Sequence, residues 1–99
     1  MSQHTPSWPF QDPPNLAVIT LKSILRGDAF IGFVSHDEDD GGWQFHPFGT
    51  NEPDEKEAAV VSLREITELD PSILELATLP IGWCAFRSAP EQEWTTRFR

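Results

Sequence analysis

The stretch Ala29-Phe30-Ile31-Gly32-Phe33-Val34-Ser35-His36-Asp37-Glu38-Asp39-Asp40-Gly41-Gly42-Trp43-Gln44-Phe45-His46-Pro47-Phe48 decides the fold. Its first six residues form an apolar run rich in aromatic and β-branched side chains, the composition of a strand. Trp43 to Phe48 then alternates aromatic and polar residues, the period of a strand with one face buried. The acidic segment Asp37 to Gly42 between them is too polar for a core and ends in two glycines. Together these features predict a hairpin with a long loop. Pro47 has no N–H to donate to a ladder, so it predicts either an edge position for the second strand or that strand's end.

Further apolar runs extend the sheet on both sides. Leu16 to Leu21 carries Val18, Ile19 and Thr20 and reads as a first strand. Lys22 to Arg26 suits one helical turn closed by Gly27. On the C-terminal side, Leu63, Ile66 and Leu69 recur every three positions, which predicts an amphipathic helix over 58–69. Val60-Val61 offers a strand as the alternative at its beginning. Asp70-Pro71 has the form of an N-cap followed by proline at the first helical position, opening a short helix through Leu76 or Ala77. Pro80 ends that helix. Ile81 to Arg87 reads as a fourth strand, and Glu93 to Phe98 as a last short one.

Four of the nine prolines lie in residues 1–15, so this N-terminal arm is expected to be extended, with Trp8 and Phe10 either tacking it to the domain or leaving it loose. Residues 16–99 are expected to form a single α+β domain, a mainly antiparallel sheet with one or two short helices on one face. At 99 residues there is no room for a second core. Trp43 and Trp83 are expected in the core, and Trp8 and Trp94 at the surface.

Sixteen acidic side chains against seven basic ones give a formal charge of −9, which argues against nucleic acid and against anionic membrane surfaces as partners. A basic protein partner is compatible with it. The N-terminus has no apolar core of a signal peptide, and no apolar run approaches the roughly 20 residues of a membrane helix, so the expected compartment is the cytoplasm. The single Cys84 excludes an internal disulfide and a multi-thiolate zinc site. Its apolar neighbours Trp83 and Ala85 suit inert packing.

Chemistry-bearing patterns are few. Asp37, Asp39 and Gly41 alternate as calcium-loop ligands do, but Phe48 stands where the closing bidentate Glu belongs. If His36 and His46 faced each other across the hairpin beside Asp37, they would make a two-His, one-carboxylate metal set, and with it a metal-dependent enzyme. That spacing is unspecific, and exposed histidines at strand ends are the commoner outcome. No nucleophile motif or phosphate-binding glycine loop occurs. The expectation is a binding protein without catalysis, cofactor or metal.

Three stretches taken together resemble one family. They are Ile31-Gly32-Phe33-Val34 followed by Asp40-Gly41-Gly42-Trp43-Gln44-Phe45, then Asp70-Pro71-Ser72-Ile73, then Leu79-Pro80-Ile81-Gly82 with Phe86-Arg87. The chain is similar, over residues 17–87, to a bacterial family first catalogued as a domain of unknown function and later grouped with the immunity proteins of polymorphic toxin systems. That family's pattern has Ser where this chain has Gly41. The resemblance implies a protein that neutralises a cognate toxin by direct binding, and it implies no catalytic residue.

From Asp37 to Glu57 there are eight carboxylates against the single Lys56. If the toxin is basic, this stretch is the expected contact, with Asp37, Glu38, Asp39, Asp40, Glu52, Asp54 and Glu55 as candidate partner-binding residues. A general regulatory or small-ligand-binding module is the competing expectation.

Overall fold

A computed structural model describes residues 8–49 and 55–99. Six strands form one sheet in the order β4-β1-β3-β2-β5-β6. They are β1 (Ala17–Leu21), β2 (Ile31–His36), β3 (Trp43–Pro47), β4 (Ala58–Ser62), β5 (Trp83–Phe86) and β6 (Thr95–Phe98). Among the described residues only the β1–β3 pairing is parallel, with Ile19 opposite Gln44. The α+β class and the mainly antiparallel sheet follow as expected from the sequence.

The β2–β3 hairpin forms as its alternation predicts, with His36 opposite Trp43 and Val34 opposite Phe45. It lies in the middle of the sheet, so Pro47 marks the end of β3 and not an edge strand. The register shifts between Ile31 and Phe33. Gly32 sits at that irregularity, where a Cβ would lie 2.5 Å from the Cβ of Phe48 and 2.8 Å from its backbone nitrogen. Any side chain there would drive the two strands apart.

Helix prediction over 58–69 holds only for the second half. Ala58–Ser62 is strand β4, paired antiparallel to β1, and helix α2 spans Leu63–Leu69. The β-branched pair Val60-Val61 fits a pleated edge better than a helix. Ser62 then starts the helix: its hydroxyl accepts from the Glu65 N–H, and the Glu65 carboxylate accepts from the Ser62 N–H, both at 3.1 Å. This reciprocal cap is the Ser-x-x-Glu box, a start signal that overrides the apolar spacing upstream of it. Lys22–Leu25 forms the expected single turn, α1. Asp70 caps the next element as expected, accepting from the Ser72 N–H, but Pro71–Leu76 is 3₁₀ rather than α-helical.

One face of the sheet carries the core. Val18, Val34, Trp43, Phe45 and Ala85 meet Leu63, Ile66, Ile73, Leu76 and Leu79, with Ile24 from α1. Phe10 joins them, buried edge-on against Trp43. The described part of the N-terminal arm holds no helix or strand; it bends at Gln11-Asp12, turns where the Leu16 N–H donates to the Pro13 carbonyl at 3.0 Å, and packs against the domain from Trp8 onward. Trp43 is core, whereas Trp83 is half-buried. Trp8 and Trp94, expected at the surface, are half-buried as well and pack against the core.

Arg87 joins the layers and is only 4% exposed. Its Nε donates to the Ile31 carbonyl at 2.9 Å, Nη1 to Ser72 Oγ and the Pro90 carbonyl, and Nη2 to Asp70 Oδ2. Its backbone N–H donates to the Gly32 carbonyl. The guanidinium lies 4.2 Å from the Trp94 ring centroid. A buried cation is tolerable only when each donor finds an acceptor, and here the helix cap, the bulge and the C-terminal segment supply them.

Arg87→Met keeps the volume and leaves the Asp70 carboxylate without its cation. We expect about 3 kcal/mol of destabilisation, read as a lower urea midpoint with unchanged slope. A loss below about 1 kcal/mol would show that the network is not a tertiary clamp.

Candidate functional site

The acidic turn stands at one end of the sheet, between β2 and β3. Its backbone closes on itself: the Asp37 N–H donates to the Gly42 carbonyl at 2.7 Å and the Gly41 N–H to the Asp37 carbonyl at 2.9 Å. Gly41 has φ of +72°, a left-handed conformation that disfavours other residues. The Gly82 N–H donates to the His36 carbonyl at 2.7 Å, tying the start of the turn to the approach of β5.

The four carboxylates of the turn do different things. Asp37 is half-buried and committed to the scaffold, with Oδ1 accepting from the Ser35 hydroxyl at 2.9 Å and Oδ2 from the Gln44 amide at 2.8 Å. Asp40 Oδ1 accepts from the Gly42 N–H at 2.8 Å while the residue stays exposed. Glu38 and Asp39 are exposed. Three of the expected contact residues therefore face solvent together, and the fourth holds the loop.

Glu55 lies elsewhere. The Ala58 end of β4 is level with Leu21, at the far end of the parallel β1–β3 pair from Trp43. With about 3.3 Å of rise per residue, the length of β3 separates Glu55 from the turn. Glu57 beside it approaches Arg26 at 3.5 Å. The acidic stretch is continuous in sequence but not in space. Glu52 and Asp54 lie outside the described residues.

Nor do the histidines meet. Paired residues share a face of the sheet, and His36 is opposite Trp43 whereas His46 is opposite Phe33, so the two imidazoles project to opposite faces. The two-His metal set is not formed, and among the described residues no group of three or more His, Cys, Asp or Glu side chains is placed to hold a metal. His36 stacks on Trp43 with ring centroids 3.9 Å apart, and its Nδ1–H donates to the Leu79 carbonyl at 2.7 Å.

His46 instead terminates a polar relay. Because the Gln44 amide nitrogen donates to Asp37, its oxygen faces His46 and must accept from Nε2–H, at 3.0 Å. Nδ1 is buried and has no hydrogen-bond partner among the described residues. Protonating it would create a buried, unsatisfied donor. Burial accordingly lowers the His46 pKa, opposed by the charge of Asp37.

Two clefts flank the turn. One, of about 390 Å³, is walled by Asp37 to Asp40 with Gln44 and faces Arg99. The other, of about 510 Å³, runs between the N-terminal arm, the turn and residues 77–81. It contains Asp12, which no sequence pattern singled out, and Ile81, whose exposure none indicated. Asp12 accepts from the Trp43 indole N–H at 2.9 Å, and Ile81 is 54% exposed. A lone Asp in a proline-rich arm carries no periodic signal, and Ile81 reads as strand only until Gly82 is seen to turn, at φ of +91°. No helix among the described residues is long and apolar enough to cross a membrane.

The lowered His46 pKa makes stability depend on pH with a definite sign. Near and below pH 6.5 the unfolded chain binds a proton that folded His46 resists, so this group destabilises the fold progressively as pH falls from about 6.5 toward its lowered folded pKa, and contributes no slope above that window. Urea midpoints measured from pH 5 to 8 should fall on the acid side for the native chain, and the fall should flatten in His46→Gln.

No family model, curated protein or solved structure matches the chain.

Proposed function

We propose that this protein is a non-catalytic, immunity-type binding protein that neutralises a cognate basic toxin in the cytoplasm by direct contact. The observation that carries the reading is the division of labour in the acidic turn. Glu38, Asp39 and Asp40 are exposed side by side, while Asp37 and the backbone hydrogen bonds hold the loop that presents them. Exposed charges of one sign speed encounter with an oppositely charged surface. A loop already fixed in shape loses little entropy on binding.

The family resemblance over residues 17–87 supports the toxin as the kind of partner. Its motif residues serve mainly as scaffold: Gly32 at the strand irregularity, Trp43 and Phe45 in the core, Asp70 and Arg87 in the clamp. The contact surface is thus expected in the exposed residues beside these scaffold positions, Glu38, Asp39 and Asp40 among them.

The test neutralises Glu38, Asp39 and Asp40 together as Gln, Asn and Asn, leaving Asp37 in place so that the turn keeps its anchor. Binding is followed to the purified product of the adjacent gene, which this reading expects to be the toxin. Association should slow by at least about tenfold at low salt, and its salt dependence should flatten. Association kinetics unchanged at low salt would refute the turn as the contact.

A further inference from the structure

We propose that the groove between the N-terminal arm and residues 77–81 receives an extended segment of the partner in which apolar and basic side chains alternate, with one Lys or Arg head seated between Asp12 and Asp40. The inference rests on the reading of the protein as a binder of a basic partner, and it adds the place and the chemistry of the contact.

The floor and one wall of the groove are apolar: Trp43, Leu79, Pro80 and Ile81. Ile81 is exposed, and its Cδ1 lies 3.8 Å from where a Cβ on Gly41 would stand, so an apolar anchor directly adjoins the acidic turn. Asp12 and Asp40 also line the groove, and no Lys or Arg does. Each of these carboxylates gives one oxygen to a protein donor, Asp12 Oδ2 to the Trp43 indole and Asp40 Oδ1 to the Gly42 N–H. The second oxygen of each has no donor among the described residues, which leaves acceptors for a cation from outside.

An apolar centre rimmed by charge is the anatomy of a protein interface, with the energy concentrated in the desolvated middle. The long stems of Lys and Arg suit such a groove, because they lie on apolar surface while the head reaches the rim. The floor is rigid: Trp43 is held by Asp12, stacked on His36 and packed edge-on by Phe10. A neutral apolar peptide would leave Asp12 and Asp40 desolvated and unpaired, so the groove discriminates against it.

The experiment titrates ¹⁵N-labelled protein with the N-acetylated, amidated peptide Leu-Arg-Leu-Arg-Leu, using Leu-Gln-Leu-Gln-Leu as the neutral counterpart. The basic peptide should shift the backbone amides of Gln11, Asp12, Thr78 and Ile81 and bind at least about tenfold more tightly than the neutral one. Thr78→Arg places a cation of the protein's own in the groove at an exposed position, and Ile81→Ser removes the apolar anchor without adding charge. Each should abolish those shifts while the remaining amide spectrum stays native. Shifts confined to Glu38, Asp39 and Asp40, no shifts, or binding that survives both variants would overturn the proposal.

Capture of the neighbouring gene product separates this proposal from the functional reading. Equal capture by native protein and Thr78→Arg refutes the groove and leaves the toxin partner standing. Groove binding of the peptide without any capture of that product supports the groove and refutes the toxin.

Discussion

A charge buried beneath a sheet must be answered by acceptors, and in this small domain Arg87 gathers them from nearly every layer. Through one guanidinium, the cap of the 3₁₀ helix, the carbonyl at the β2 irregularity and the turn at Pro90 become mutually dependent. Trp94 closes over the cation from the C-terminal side. Such an ion pair is seldom a large net gain against an apolar replacement of the whole network. Its value lies in specificity, because any arrangement of the helices that moves Asp70 or Ser72 leaves a buried donor unanswered.

The same economy of polar groups shapes the end of the sheet that carries the acidic turn. Asp37 looks, in sequence, like the first of four equivalent acidic residues, but its two oxygens are taken by Ser35 and Gln44, and Gln44 passes the polarity on to His46. The turn is therefore anchored from the face of the sheet opposite the core and backed from the core face by His36 on Trp43. What remains exposed is three carboxylates on a fixed support, beside an apolar groove that carries two acceptors.

Local patterns were a good guide where one residue type dictates one geometry. Alternation in Trp43 to Phe48 predicted β3, and Asp70-Pro71 predicted a helix start, because period and capping are local properties. The division of residues 58–69 was legible in the Ser62–Glu65 box, although the three-residue apolar spacing obscured it. Other features were not legible, for they depend on which residues the topology brings together. Nothing local marks Asp12 as the acceptor for Trp43, or Arg87 as buried rather than a polar strand end. The facing of His36 and His46 depends on register, since a single step decides which side of the sheet a residue occupies. The spread of the acidic stretch to both ends of the sheet follows from β4 running back along β1.

That spread has a consequence for recognition. Screening at physiological salt confines each cluster's influence to about 8 Å, so the turn at one end and Glu55 at the other act as separate lures. For a cationic visitor of the kind proposed above, long-range attraction would not by itself tell it which end to hold. Among the described residues, the turn's end is the one that pairs its charge with an apolar floor beside Ile81. Orientation would then be selected after encounter, by how long the visitor stays at each pole rather than by how often it arrives.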